Sequence, residues 1–403
     1  MGADEVFFRE WRRRAPGARR SLARARALAE LLGAAVPGVP VLTVVGSKGK
    51  GTAATFASAA LAAGGRRVCT VTSPGLRTNR DRIRLDGHAV SEADLKALAD
   101  ALSQAAGMLP PDEGYLSPSG AFTVAGVLFA RWASADVLVL EAGMGGRSDE
   151  VSLFPPDVAA LTPVFAEHVG VLGDTVAEIA EEKLGVVGAR TRAVLSAPQS
   201  PDVSAALRGR VEFVADGDGG VPSRLLPPGL GRASAELGVV AARRLTGDPP
   251  PEARLHAVLE SLTLPGRLSW HPVPGTATTI LADCAIDGTG VAAARGRWGA
   301  IDHAVVCLPD HKDLTGAIAA LGDLPVTFVR LPIPHLRFTR PLPPAWDVVD
   351  AGALTPESLA TLGHRVAVLG TVYFVGRVLD LVDADTERLF SAEASPRPGG
   401  SPA

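Results

Sequence analysis

The sequence predicts an α/β protein built on a mainly parallel sheet, and three observations carry that expectation. Short β-branched apolar runs alternate with helical patterns along most of the chain, the order that places crossover helices between parallel strands. A glycine-rich loop, Gly46-Ser47-Lys48-Gly49-Lys50-Gly51-Thr52, joins the first of these runs to an alanine-rich helical pattern. A second strand-and-helix series begins after Leu264, so the 403 residues are expected to form two domains.

Taken in order, a basic helical segment runs from Ser21 to Leu32. Val39 to Val45, Arg67 to Thr72, Asp136 to Leu140, Asp157 to Leu161 and Ala193 to Ala197 read as buried strands. Helices are expected between them at Gly51 to Ala63, Ser91 to Ala106, Ala121 to Ala133 and Val176 to Val187. Ser91 with Asp94, and Thr175 with Glu178, supply helix-start pairs, the second a proper capping box. A proline-rich zone, Pro227-Pro228 and Pro249 to Pro251, precedes the second series, whose strands are expected at Thr279 to Ala285, His303 to Leu308, Val326 to Leu331 and Arg365 to Leu369. The expected division is residues 1–264, residues 265–388, and a tail at 389–403 too polar to fold.

Composition narrows the function. The 40 basic and 43 acidic residues nearly cancel, which gives no electrostatic case for nucleic acid or an anionic membrane. No apolar run reaches the about 18 residues of a membrane span, and the N-terminus lacks the apolar core of a secretory signal. Cys69, Cys284 and Cys307 are odd in number and widely spaced, against a disulfide framework or structural zinc. A cytoplasmic monomer with small-molecule partners is the expectation.

Ligands of parallel sheets bind where the strands end, and four polar features fall at such ends. Gly46 to Thr52 follows the first strand, Thr72 and Ser73 the second, Glu141 with Gly143-Met144-Gly145-Gly146-Arg147 the third, and Glu167-His168 the fourth. In the loop, glycines let backbone N–H groups turn toward an anion at a helix start. Lys50 would neutralise phosphates and Thr52 would offer a hydroxyl to Mg²⁺. The plain alternative is an ordinary strand-to-helix turn with solvated lysines. Glu141 ends an apolar strand, where a metal ion offsets the cost of burying its charge; otherwise it is a strand-end carboxylate facing water. His168 alone reads as a structural histidine. Lys183, on residue type alone, reads as solvated.

The pieces GSKGKGT, TSPGLRTNRDRI, EAGMGGRSD, AEHVGVLGDTVAEIAEEKLGVV, LPGRLSW, ADCAID and LGTVYFVGRVL occur in this order. Together they resemble the dihydrofolate synthase and folylpolyglutamate synthase family of the Mur ligase superfamily, over about residues 20 to 385. The resemblance implies a Mur-ligase-like P-loop ATPase domain and a smaller Rossmann-like C-terminal domain. It also implies ATP-driven joining of an amino acid such as glutamate to a carboxylic acid, through an acyl phosphate. By the same resemblance, Gly46, Ser47, Lys48, Gly49, Lys50, Gly51, Thr52, Arg267 and Asp283 would bind the nucleotide. Thr52, Ser73 and Glu141 would hold one Mg²⁺, while His168, with Lys183 carbamylated by CO₂, would hold a second. Lys50, Glu141, His168 and Lys183 are the expected catalytic set.

Departures from the family pattern accompany these matches. Lys48 stands where the family has asparagine, Gly75 for histidine, Asn79 for phenylalanine, Glu167 for aspartate, and Ser119-Gly120 for phenylalanine-glutamate. Ile286 and Asp287 replace a histidine and an asparagine. Because Gly75 and Gly120 replace large side chains, the pocket for the acid is expected to be widened or reshaped, favouring a non-folate acid of specialised metabolism. A P-loop switch or motor and a catalytically inactive nucleotide-binding relative are the competing classes.

Overall fold

A computed structural model describes residues 2–110, 114–333 and 336–394. They divide into two compact units, residues 2–74, 79–262 and 387–394 in the first, and residues 75–78 and 263–386 in the second. The expected tail therefore splits. Its part beyond residue 394 lies outside the described residues, whereas Phe390, at 1% exposure, is buried in the first unit. An aromatic ring offsets the ordering of that short segment, which the polar composition around it concealed.

In the first unit the elements run α1 (Ala3–Arg13), α2 (Leu22–Leu31), β1 (Val41–Val45), α3 (Lys50–Ala63), β2 (Val68–Val71), β3 (Ile83–Leu85), β4 (His88–Ala89), α4 (Glu92–Ala106) and α5 (Pro118–Trp132). They continue as β5 (Val137–Glu141), β6 (Val158–Leu161), α6 (Val176–Leu184), β7 (Ala193–Ser196), α7 (Pro201–Ala206), β8 (Glu212–Phe213), α8 (Gly231–Thr246) and α9 (Glu252–Glu260). The sheet order is β4-β3-β2-β5-β1-β6-β7-β8, parallel except for the β2-β3-β4 end. Each expected strand of this series forms. The β3-β4 hairpin is additional, and its residues show too little apolar patterning to be read as strands.

The register fixes the functional edge. Val44 lies beside Glu141 and Val45 beside Leu161, so β1, β5 and β6 end together. Behind that edge α3 is buried along nearly its whole length. Its alanines, and Gly238 of α8, let the two helices approach closely, since a Cβ on Gly238 would lie 2.3 Å from the carbonyl oxygen of Ala53. A helix so tightly held anchors the loop at its start.

The second unit contains β9 (Ser269–Pro272), β10 (Thr279–Asp283), α10 (Gly288–Arg295), β11 (His303–Cys307), α11 (Leu314–Leu321), β12 (Val326–Arg330), β13 (Asp347–Asp350), α12 (Pro356–Ala360), β14 (Arg365–Gly370) and α13 (Val372–Leu381). Its sheet order is β13-β12-β11-β14-β10-β9, parallel but for β9. No helix among the described residues is long and apolar enough to cross a membrane.

Candidate active site

The glycine-rich loop is shaped by its glycines. Gly46 and Gly49 have φ of 137° and 85°, and a Cβ on Gly46 would lie 2.0 Å from Thr162 Oγ1. The backbone can thus press against β6's end only without a side chain. Lys50 folds back, its Nζ donating to the carbonyl oxygens of Gly46 (3.0 Å) and Ser47 (3.2 Å). Thr52 and Ser47 are buried.

Lys183 overturns the solvated reading. It is 1% exposed, and its Nζ donates to the Gly46 carbonyl at 3.0 Å and to Glu167 Oε1 at 2.8 Å. Two lysines, from α3 and α6, therefore converge on one loop carbonyl. Burial holds the Lys183 ammonium below its ordinary pKa, with Glu167 pulling the other way. Burial also opposes charge on Glu167, but the Lys183 ammonium, with help from Lys50 and Ser47, more than offsets it and leaves that carboxyl below the usual range.

The second glycine-rich loop places Lys183. A Cβ on Gly146 would lie 2.1 Å from the Lys183 carbonyl oxygen, so the loop packs its backbone onto the end of α6. Arg147 N–H donates to the Glu182 carbonyl (2.9 Å), and Ser148 donates to the Glu182 carboxylate through N–H (2.8 Å) and hydroxyl (2.6 Å). Sequence reasoning missed Glu182, because a helical glutamate among charges carries no distinguishing signal.

Glu141 is 7% exposed at the end of β5 and accepts the Ser73 N–H at 3.1 Å. Arg82 Nη1 lies 3.4 Å from Ser73 Oγ. Glu141, Ser73 and Thr52 offer a carboxylate and two hydroxyls, the hard oxygen donors that Mg²⁺ takes while keeping phosphate oxygens in its shell. His168 is exposed and left-handed, with φ of 50°. Among the described residues, no three His, Cys, Asp or Glu side chains gather as a ready metal cluster. Lys183, as an ammonium, donates hydrogen bonds and has no lone pair for a metal. In donor chemistry these three oxygens suit Mg²⁺, whereas Lys183 as an ammonium adds no donor for a metal.

At Gly120, where a widened or reshaped pocket is expected, the space is filled and not open. A Cβ on Gly120 would lie 2.5 Å from Cγ and Cδ of Glu150, whose side chain fills that space. Glu150 is fully buried, accepting from Ser117 Oγ at 2.7 Å and pairing with Arg20 Nη1 at 3.2 Å. Burial, with neighbouring Asp149, pushes its carboxyl above the usual range despite Arg20. Arg20 and Asp149 also grip Met144, Arg20 donating to its carbonyl (3.1 Å) and Asp149 accepting its N–H (2.8 Å). The acidic pair after GGRS was the available signal for this network.

In the second unit the turn at Gly266 brings Arg267 and Asp283 into one neighbourhood, since Asp283 accepts the Leu268 N–H at 2.8 Å. Ile286 packs on that unit's core, and Asp287 caps α10 by accepting the Gly290 N–H at 2.8 Å. Both departures therefore have local structural work.

No family model matches the chain. It is 28% identical to the dihydrofolate synthase/folylpolyglutamate synthase of Mycobacterium tuberculosis, over 94% of this chain and 85% of that protein. The solved structure of Mycobacterium tuberculosis folylpolyglutamate synthase complexed with ADP matches with a TM-score of 0.75 at 23% identity, covering 95% of this chain and 99% of that one. A Yersinia pestis bifunctional folylpolyglutamate synthase/dihydrofolate synthase complexed with AMPPNP and Mn ion matches with a TM-score of 0.70 at 22% identity, covering 90% and 94%.

Proposed function

We propose that this chain, a divergent member of the dihydrofolate synthase/folylpolyglutamate synthase family, is an ATP-dependent acid–amino acid ligase working through an acyl phosphate. The observation that carries the reading is the convergence of Lys50 and buried Lys183 on the Gly46 carbonyl at a glycine-built anion cradle. A solvated turn has no need of a buried lysine beneath it.

In the proposed reaction a carboxylate oxygen of the acid attacks the terminal phosphorus of ATP, and ADP leaves. The amine of an amino acid such as glutamate then attacks the acyl carbon, phosphate leaves, and the amine loses a proton. Phosphoryl transfer of this kind is mostly positioning and charge neutralisation. Lys50 exchanges its bonds to the loop carbonyls for phosphate oxygens, and the N–H groups of Gly49 to Thr52 face the same charge at the start of α3. Glu141, Thr52 and Ser73 would hold Mg²⁺, which supplies further neutralisation of phosphate charge when bound. Arg267 and Asp283 are proposed nucleotide contacts of the second unit.

Lys183 is proposed to react with CO₂ as the neutral amine, a form its burial favours. The carbamate would turn a donor into an anion, and only then would Lys183 and His168 suit a second Mg²⁺. We further propose a cytoplasmic monomer.

A second reading keeps this chemistry with a non-folate acid. It is motivated by Gly75 and Gly120 standing where the family has large side chains, with the buried Glu150 filling the space beside Gly120. ADP release measured across pterin and non-pterin carboxylates separates the two. Turnover with a carboxylate that is lost in a folded Lys50→Ala protein supports the ligase; ATP binding with no carboxylate-dependent ADP release supports an inactive relative.

A further inference from the structure

We infer that Glu150 is a positioning residue of the ligase, which brings from the segment after the second glycine-rich loop the carboxyl group that the family carries at position 120. The inference rests on the ligase reading and concerns a residue to which that reading gives no role in the reaction.

The two positions compete for one space. A Cβ on Gly120 would stand 2.5 Å from Glu150 Cδ and 2.6 Å from its Oε1, so a glutamate at 120 and the glutamate at 150 exclude each other. They also share a partner. Residue 120 is the third of α5, the position from which a glutamate reaches back to the residue that caps the helix. That cap is Ser117, whose Oγ accepts the Gly120 N–H at 2.9 Å. The glycine has no side chain to return to it, and Glu150 Oε1 accepts the Ser117 hydroxyl instead, at 2.7 Å. The carboxyl is thus kept in place and delivered by another part of the chain.

Its other oxygen gives the carboxyl a task. Glu150 Oε2 accepts from Arg20 Nη1 at 3.2 Å, Arg20 Nη2 donates to the Met144 carbonyl at 3.1 Å, and Asp149 accepts the Met144 N–H at 2.8 Å. Both backbone groups of Met144 are therefore held. Two residues on, Gly146 lays its backbone against the Lys183 carbonyl, so the loop that Arg20 steadies is the one that seats the end of α6. An apolar side chain would fill the space beside Gly120 without burying charge. Instead Asp149 and Glu150, both at 0% exposure, share one guanidinium, and burial beside Asp149 pushes the Glu150 carboxyl above its usual range. An acid retained there at a cost in stability points to a use beyond filling space.

The test compares wild type with Glu150→Gln, Glu150→Ala and the exchanged pair Gly120→Glu/Glu150→Ala, each assayed well below its melting temperature. The readouts are kcat for carboxylate-dependent ADP release, ADP affinity by calorimetry, and hydrogen exchange of the amides at 143–147 and at the start of α5. Glutamine keeps the shape but offers an acceptor at only one of the two places that Ser117 and Arg20 need. Glu150→Gln is expected to lower kcat about tenfold, with ADP affinity changed less than about threefold and exchange at 143–147 about tenfold faster. Glu150→Ala should lose at least as much, and the exchanged pair should return kcat to within about threefold of wild type. A role confined to capping α5 would quicken exchange at the start of that helix alone and leave kcat unchanged.

Wild-type kcat or unchanged exchange at 143–147 in Glu150→Gln would overturn the inference while leaving the ligase intact, and so would an exchanged pair that folds yet stays as slow as Glu150→Ala. Should the exchanged pair not fold, Glu150→Gln decides alone. A wild type that binds ADP yet releases none with any carboxylate would overturn the ligase reading, and this inference with it.

Discussion

Replacing Lys183 by methionine isolates the charge beneath the glycine-rich loop. Methionine nearly conserves the volume, so no large cavity forms and the change is chiefly the loss of donors to Gly46 and Glu167. Breaking a fully buried pair costs about 3–5 kcal/mol. Here the Lys183 side chain is 1% exposed but that of Glu167 is 30% exposed, so water stabilises the orphaned carboxylate. Allowing for that screening brings the expected loss to about 1–3 kcal/mol. Glu167→Gln alone leaves an ammonium buried beside an amide, whereas the double variant removes both charges, so a coupling of about 1 kcal/mol or more is expected. Native-state hydrogen exchange of amides in β1 and α6 measures this within the first unit. The pH dependence has a fixed sign. Glu167 titrates below its ordinary 4.5 in the fold, so its stabilisation is complete above that pH and is lost as pH falls through the lower folded value. Lys183→Met should abolish this acid-side loss. Unchanged protection in Lys183→Met, with coupling below about 0.3 kcal/mol, would refute the reasoning.

Three further outcomes are expected. Lys183→Ala should be nearly inactive and partly restored by added short carboxylic acids standing in for a carbamate; a crystal structure grown with ample CO₂ showing an unmodified Lys183 would count against carbamylation. Glu141→Gln should keep the fold, lower activity and raise the Mg²⁺ concentration needed for ADP release, and an unchanged titration curve would return Glu141 to a structural role. Because the Glu150 carboxyl titrates above its ordinary 4.5, the wild type should lose stability as pH rises from there through the folded value. Glu150→Gln should lack that loss, giving a higher melting temperature at pH 7 and no advantage in acid; a lower melting temperature at pH 7 would show the Arg20 pair to be worth more than the burial cost.

What the sequence made legible was whatever depended on local pattern. The strand runs of both series and the caps at Ser91 and Thr175 could be read because apolar period and capping chemistry are properties of neighbouring residues. Glu141 and the glycine-rich loop were legible because polar residues at the ends of parallel strands share an edge. Lys183 was legible only through the family resemblance, and the burial of Lys183 and Glu150 was not legible at all. Their burial depends on Gly146 admitting the end of α6 and on Gly120 admitting a glutamate from thirty residues on, contacts without periodicity. Of the expected widening or reshaping, no open space remains at Gly120, since a glycine read alone suggests space, whereas here another chain segment fills it. The hairpin at β3-β4 was not legible because its strands are only a few residues long and the buried Arg84 interrupts the apolar pattern of β3.

The central claim is that a substrate carboxylate accepts the terminal phosphoryl group of ATP before an amine displaces it. The most direct measurement supplies an acid whose carboxylate oxygens carry a heavy isotope, together with ATP and an amino acid, and determines the isotope content of the phosphate released. Acyl phosphate formation expects one heavy oxygen in each phosphate, in amounts matching ADP and amide, and none of this in Lys50→Ala. Amide formed with unlabelled phosphate, or ADP released without dependence on any carboxylate, would contradict the account.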